Sequence, residues 1–169
     1  MRNNREHRFQ AFADRFLDRV VLPPFWVTGI DHASNVSDNA RARARARGLK
    51  PGVPDIYLAQ GEPTRTLWLE LKRGTSPSDA QLSVHRSLAD CGVPCYVASS
   101  IKGVLVALYG AGIRLHGNAA NIATEIEAKL TAADEAVPRV ARSSRPRVPK
   151  PSRAAVTRGN RFTARGLGI

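Results

Sequence analysis

The chain has few of the residues on which several classes of protein depend. Its two cysteines, Cys91 and Cys95, do not form a C-x-x-C motif, and no second pair accompanies them. The sequence therefore predicts neither a structural zinc site nor a disulfide framework. It also lacks any apolar run of about 18 residues, so we expect no membrane-spanning helix. Because the charged N-terminus is followed by no apolar stretch, we expect no secretory signal. We therefore expect a cytoplasmic protein in which both cysteines are reduced and face the core.

Aromatic residues are also scarce, at 6% of the 169 residues, although hydrophobic residues reach 43%. This composition predicts a lean core made mainly of Val, Leu, Ile and Ala. The length is sufficient for one domain and short for two.

Acidic residues are absent from the C-terminal segment 136–169. This segment carries nine of the 26 basic residues and none of the 14 acidic ones, so the rest of the chain has a net charge of only +3 out of +12. Four prolines, many Ser and Arg residues and a single aromatic cannot bury enough apolar surface to offset the entropy of ordering. We predict a disordered cationic tail, of the kind that attracts polyanions such as nucleic acid.

Hydrophobic periodicity predicts the order α–β–α–β–β–α–β–α–α before the tail. A first amphipathic helix, with apolar residues spaced i, i+3, i+4, i+7 from Phe9 to Val20, ends before Pro23-Pro24. Strands are predicted over residues 25–30, 53–59, 66–71 and 94–98, with the turn 60–63 joining the second and third into a hairpin. The fold class is therefore α/β, with a mixed central sheet of about four strands flanked by helices.

Several helix boundaries carry local signals. Ser76 followed by Pro77 and by Asp79 predicts a helix start with a serine cap, and Leu82, Leu88 and Ala89 would supply the apolar side of that helix. Ser99 or Ser100 caps a short helix that stops at Gly110, and a last helix covers about 119–133. Four arginines alternate with alanine before Gly48, and both residue types favour a helix that ends at this glycine: Arg41, Arg43, Arg45 and Arg47.

The residues that carry chemistry are Asp55, in Gly-Val-Pro-Asp, and Glu70 and Lys72, in Glu-Leu-Lys. Because strand side chains alternate, Glu70 and Lys72 project from one face while Leu71 points into the core. The hairpin brings Asp55 beside Glu70. Two carboxylates, with the Leu71 carbonyl as a further oxygen ligand, suit a hard cation such as Mg²⁺, and a neighbouring lysine can orient water or offset charge on a phosphate. The grouping suits phosphodiester hydrolysis. The alternative is that Glu-Leu-Lys is a surface ion pair.

Four sequence blocks, taken in order, resemble the VRR-NUC family of the PD-(D/E)xK nuclease superfamily. They are Gly-Val-Pro-Asp (52–55), Trp-Leu-Glu-Leu-Lys (68–72), the segment 76–88 and Gly-Val-Pro-Cys-Tyr-Val-Ala-Ser-Ser (92–100). The similarity is to its small stand-alone members from phages and bacteria, and it runs from about Glu6 to Leu115. It implies a restriction-endonuclease-like core, with a nuclease domain over 1–117, a C-terminal helix over 118–135 and the basic tail over 136–169.

The resemblance also implies site residues. Asp55, Glu70, the Leu71 carbonyl and Glu6 would bind metal, Lys72 would assist the water, and Gln81 would contact the lysine or the phosphate. His85, four residues after Gln81, would reach the same cleft and contact DNA. The alternatives remain that Gln81 caps a backbone group and that His85 packs.

The sequence leads to the hypothesis of a DNA endonuclease that uses Mg²⁺, with Mn²⁺ as a substitute. We expect it to select branched or junction DNA and to act in the bacterial or infected-host cytoplasm. The expected partners are DNA and a second copy of the chain, without a membrane or a small-molecule cofactor. Lys50 and the four alternating arginines would line the DNA face, or else form a solvated helix surface. The competing hypothesis is a basic DNA-binding or architectural protein on a catalytically silent nuclease fold.

Overall fold

The computed structural model describes residues 3–30, 37–48 and 50–136. The order of its elements is the predicted one, and their bounds are α1 (Asn3–Val20), β1 (Phe25–Gly29), α2 (Asp38–Ala46), β2 (Ile56–Gln60), β3 (Arg65–Leu71), α3 (Asp79–Asp90), β4 (Cys95–Ala98), α4 (Ile101–Gly110) and α5 (Ala119–Glu135). The tail that the sequence predicts to be disordered lies, from residue 137 onward, outside the described residues.

The four strands form one sheet in the order β1-β2-β3-β4. β1 and β3 both run antiparallel to β2, while β4 runs parallel to β3. A parallel pair needs a crossover, and α3 supplies it between β3 and β4. The sheet is therefore mixed, and the predicted α/β fold class is confirmed.

One face of the sheet holds the hydrophobic core. Alternate residues of β3, Leu67, Leu69 and Leu71, are at most 3% exposed. The helices α1 and α4 contact this strand, and α5 packs against α1 and α4. The predicted apolar stripe of α1 from Phe9 to Val20 is buried there. α5 contributes five buried residues to the same core, so residues 118–135 share it with the preceding elements.

The helix α3 differs from the prediction in two respects. Its N-cap is Ser78 and not Ser76, because Gln81 completes a capping box with Ser78, and Pro77 therefore precedes the first turn. It also has no buried residue, although an apolar side was predicted from Leu82, Leu88 and Ala89. Leu82 is 38% exposed. Its half-buried positions are Gln81, Val84, His85 and Leu88, and the two polar ones belong to the site described below.

Gln60 was assigned to the hairpin turn from sequence, and this assignment was wrong. It is the last residue of β2 and is 2% exposed. Its Nε2 donates to the carbonyls of Leu22 (2.7 Å) and Arg114 (3.0 Å), and its Oε1 accepts the Arg114 amide at 2.7 Å. Gln60 therefore satisfies backbone groups of two separate connections, which the sequence pattern alone does not reveal.

Other local predictions have mixed outcomes. Gly48 has a φ of +89° just after α2, as expected for a glycine that ends a helix. Both cysteines are free thiols, but the prediction that they face the core was wrong. Cys91 is exposed at the C-cap of α3, and Cys95, which pairs with Trp68, is half-buried on the sheet face opposite the core. No helix within the described ranges is long and apolar enough to cross a bilayer.

Candidate active site

Asp55 and Glu70 face each other across the β2–β3 hairpin. Ile56 pairs with Leu69 at the last position of this ladder. Continuing the antiparallel register by one residue places Asp55 opposite Glu70, a separation at which the Cβ atoms of neighbouring strands lie about 4.5–5.5 Å apart. The geometry therefore brings together the two carboxylates that the sequence singles out.

The Asp55 side chain extends the hairpin beyond its last backbone pair. Its Oδ2 accepts the Leu71 amide at 2.7 Å, where a backbone carbonyl of β2 would otherwise stand. In an extended strand the amide and the carbonyl of one residue point the same way, so the Leu71 carbonyl is also directed towards Asp55. Two carboxylates and one carbonyl are thus directed to the same end of the hairpin.

Glu70 is fully buried and is held by residues of two elements. Its Oε1 lies 2.6 Å from Lys72 Nζ and also accepts a hydrogen bond from Gln81 Nε2. The Lys72 side chain is 13% exposed. A buried carboxylate is costly unless a cation and hydrogen bonds compensate it, and Lys72 and Gln81 provide both. Glu70 and Lys72 therefore do not form the surface ion pair that was the alternative interpretation.

Gln81 caps a backbone group, which was the alternative interpretation, and it also contacts the cluster. Its Oε1 accepts the Ser78 amide at 2.9 Å and thereby caps α3, while its Nε2 reaches Glu70. Its partner in the cluster is the Glu70 carboxylate and not Lys72, and the contact with a phosphate that the resemblance also implied stays a prediction. The N-terminus of α3 is in this way fixed to the carboxylate of β3.

His85 lies in the same cluster. Its Nε2 stands 3.7 Å from Glu70 Oε2, beyond hydrogen-bond distance, and within the described ranges this buried nitrogen has no hydrogen-bond partner. Burial lowers the pKa of His85, the Lys72 ammonium lowers it further, and the charge of Asp55 opposes both. The imidazole is therefore neutral at pH 7. The structure brings His85 into the cleft, and its contact with DNA stays a prediction.

Glu6 lies near the same end of the sheet but belongs to another contact. Its Oε1 accepts a hydrogen bond from Thr75 Oγ1 at 2.6 Å, in the loop that follows Lys72. Helix phase alone had indicated an inward direction, and the side chain is half-buried. Its role as a metal ligand stays a prediction.

Gly52 supports the site in a way that the sequence analysis did not recognise. It has a φ of +86°, and a Cβ at this position would stand 2.5 Å from the Ala80 carbonyl oxygen and 2.8 Å from the Gln81 amide nitrogen. The chain before Asp55 can therefore pass directly beneath the first turn of α3 only because residue 52 lacks a side chain. The glycine in Gly-Val-Pro-Asp was the available signal.

The predicted DNA-contacting residues flank the cluster in the chain. The chain leaves the sheet at Ile30, whose amide donates to the Asp55 carbonyl at 2.7 Å, and it returns to the sheet at Asp55, so α2 lies within this connection. Arg43 and Arg45 of α2, its C-cap Arg47 and Lys50 are exposed, and the Arg41 side chain lies outside the description. The exposure is compatible with a DNA face and equally with a solvated helix.

The donor set fits a hard divalent cation. In the described part of the chain, no three His, Cys, Asp or Glu side chains form a group that could hold a metal ion. Asp55, Glu70 and the Leu71 carbonyl would instead supply three oxygen donors, and water would complete the shell. Mg²⁺ is commonly held by one or two carboxylates while it keeps several waters, and softer metals prefer sulfur and imidazole.

Comparison of the chain with protein-family models, with curated proteins and with solved structures finds no match. The interpretation of the site therefore depends on the residues themselves and on their geometry.

Proposed function

We propose that the protein is a metal-dependent DNA endonuclease that hydrolyses phosphodiester bonds at the cluster of Asp55, Glu70 and Lys72, with Mg²⁺ as the natural ion and Mn²⁺ as a substitute. The observation that carries the proposal is the juxtaposition of two carboxylates across one hairpin, with a lysine 2.6 Å from the buried one. A fully buried carboxylate, a lysine that is 13% exposed and a second carboxylate lie at one end of the sheet, and interacting titratable groups of this kind concentrate at functional sites.

Each residue has a distinct task in this proposal. Asp55, Glu70 and the Leu71 carbonyl hold the cation, which supplies charge stabilisation and an activated water when it is bound. Lys72 stabilises negative charge that develops on the phosphate oxygens. Gln81 keeps the Glu70 carboxylate oriented, since its amide is itself fixed by the cap of α3. Glu6 and His85 border the cluster and would contact the metal shell or the DNA.

Substrate and partners are part of the same proposal. The basic composition, with a net charge of +12, favours a polyanionic substrate, because neutralisation of phosphates supplies most of the non-specific affinity for DNA. Selection of branched DNA and action as a homodimer in the cytoplasm are carried over from the resemblance to the VRR-NUC family. A symmetric dimer would place one site on each strand of a duplex.

The test compares cleavage of supercoiled plasmid and of branched DNA by the parent protein and by Asp55→Asn, Glu70→Gln and Lys72→Met. We expect the parent to cut only with Mg²⁺ or Mn²⁺, and each variant to lose roughly 10²–10³-fold in rate, the range observed when one group that stabilises the transition state is removed. Metal affinity, measured by calorimetry, should fall for Asp55→Asn and Glu70→Gln and change much less for Lys72→Met.

Glu62→Gln and Lys102→Met are matched controls, because both side chains are exposed and Glu62 follows β2 at the opposite end of the hairpin. Both controls should cut as fast as the parent. DNA that is shifted but never cut, by the parent as well as by the variants, would support the silent DNA-binding alternative instead.

A further inference from the structure

Three aromatic rings lie together on the sheet face that carries Glu70. Trp26 in β1, Tyr57 in β2 and Trp68 in β3 form a continuous aromatic row. The ring centroids of Trp26 and Tyr57 are 5.9 Å apart and those of Tyr57 and Trp68 are 4.8 Å apart. These two tryptophans are the only ones in the chain. Both tryptophans, the largest side chains of the protein, therefore lie on the sheet face opposite the core.

The aromatic row adjoins the candidate active site. Trp68 precedes Glu70 by two residues and Tyr57 follows Asp55 by two residues, so each ring shares its strand and its face with one of the carboxylates. Two residues of strand span roughly 7 Å, which is close to the spacing of successive phosphates in an extended single strand. A nucleotide next to one whose phosphate lies at the carboxylates would therefore have its base at the rings.

The aromatic row is exposed at its Trp26 end, whereas Tyr57 and Trp68 are half-buried. Trp26 is 59% exposed, and the residue opposite it, Ala59, is itself paired with Thr66. The helix α3 on this face has no buried residue. An exposed tryptophan that continues into two half-buried rings offers a flat apolar surface on which a further ring can stack.

We propose that the aromatic row is a stacking platform for unpaired bases next to the scissile phosphate, so that the preferred substrate is DNA with a single-stranded arm at the cleavage position. This proposal rests on the proposed function. Each base offers a flat face to an aromatic ring, and stacking is tolerant of sequence. In an intact duplex the base faces are covered by their neighbours, so the platform discriminates in favour of unpaired segments.

Charge supports nucleic acid over a second copy of the chain as the occupant. The chain is strongly cationic, and the arginine-bearing helix α2 belongs to the connection that leaves and re-enters the sheet beside Asp55. A polyanion bound at the carboxylates would lie along the face that carries the aromatic row, and the exposed arginines of α2 are close to Asp55 in the chain. A second copy of the chain, which carries the same net charge of +12, is a less favourable occupant than a polyanion.

The experiment measures binding without cleavage, in EDTA, by electrophoretic mobility shift. Parent, Trp26→Ala, Trp26→Phe and Tyr109→Ala are each titrated against a single strand, a blunt duplex and a splayed-arm duplex. Tyr109 is the matched control, because it is an aromatic with the same 59% exposure on α4, which packs on the other face. We expect Trp26→Ala to lose roughly 5- to 100-fold in affinity for the single strand and the splayed arm, with the blunt duplex unchanged. Trp26→Phe should keep most of the affinity, and Tyr109→Ala all of it.

Failure of this proposal and failure of the nuclease proposal give different results. If Trp26→Ala binds all three DNAs as the parent does, or loses affinity for all equally, the stacking platform is wrong even if the parent cuts DNA. If Trp26→Ala converts a dimer into a monomer in analytical ultracentrifugation, the occupant is a second copy of the chain. If the affinity changes as expected but the parent never cuts, the platform stands and the catalytic proposal falls.

Discussion

Glu70 is the residue on which the cluster depends most strongly, because its carboxylate has no access to water and is 2.6 Å from Lys72 Nζ. A buried ion pair contributes little net stability, yet removal of one partner leaves a charge in a medium of low polarity. The chemistry and the stability of the fold are therefore coupled at one position.

Lys72→Met alone should lower the free energy of unfolding by about 3–5 kcal/mol, since Glu70 then loses its ammonium partner. The double variant Glu70→Gln/Lys72→Met should recover most of that loss. Urea unfolding followed by circular dichroism measures both. A double variant that is as unstable as Lys72→Met would mean that the charge of Glu70 is not what the lysine compensates.

The two thiols differ in their surroundings. Burial, and then the nearby charge of Glu70, raise the pKa of Cys95 to about 11, whereas Cys91 is exposed at the end of α3. Because the folded protein favours the neutral thiol of Cys95, the associated stability is fully present below the ordinary thiol pKa. It is lost as the pH rises from there towards 11.

Iodoacetamide at pH 8 should therefore alkylate Cys91 well before Cys95, because the thiolate is the reacting species. Peptide mass spectrometry over a time course gives the two rates. Glu70→Gln should speed the modification of Cys95 and leave that of Cys91 unchanged. Equal rates at both thiols in the parent would contradict the burial of Cys95.

At the scale of elements, Gln60 joins connections that are far apart in the chain. Its amide makes three hydrogen bonds to backbone groups of Leu22 and Arg114, so it links the end of α1 to the segment between α4 and α5. The alignment of α1 and α5 over the sheet depends in part on this one side chain.

Gln60→Leu should destabilise the protein by about 2–4 kcal/mol, because it leaves several buried backbone groups without their partner. The melting temperature should fall, while Asn121→Leu, the same change at an exposed position of α5, should have little effect. An unchanged melting temperature for Gln60→Leu would mean that water replaces the lost bonds.

The sequence predicts the elements better than it predicts their burial. The order of helices and strands follows from periodicity and from breakers such as Pro23-Pro24. The hairpin register brings Asp55 to Glu70, which alternation alone allowed us to expect. In β3, by contrast, Trp68 stands between Leu67 and Leu69, and a continuous apolar run does not reveal that its two faces differ in exposure.

The helix α3 shows why the remaining features were missed. Its leucines suggested packing against the core, but its position is set by the contacts of Gln81 and by Gly52, both of which are tertiary. The same holds for Gln60, whose partners are 38 and 54 residues away in the chain. Polar side chains that recognise distant backbone leave no periodic signal in the sequence.

At the scale of the whole molecule, charge and chemistry are separated along the chain. The cluster lies between Asp55 and His85, whereas nine of the 26 basic residues lie beyond residue 138, where no acid occurs. Affinity for DNA and turnover should therefore respond to different parts of the protein.

Removal of residues 139–169 should reduce the dependence of DNA affinity on salt, since each phosphate neutralised contributes roughly −0.9 to the slope of log K against log salt. Filter binding at several salt concentrations measures the slope. Cleavage at saturating protein and low salt should persist, because the truncated protein retains every residue of the cluster. A slope that does not change would show that these arginines make no phosphate contacts.

The placement of both tryptophans on the outer face of the sheet has a spectroscopic consequence. With no indole in the core, the intrinsic emission of the protein reports on whatever approaches the sheet near Glu70. Trp26 already stands largely in solvent, so its emission barely changes when the helices separate from the sheet. An unlabelled sample thus carries its own optical probe of ligand arrival at Trp26, while the half-buried Trp68 is the ring whose emission responds to unfolding.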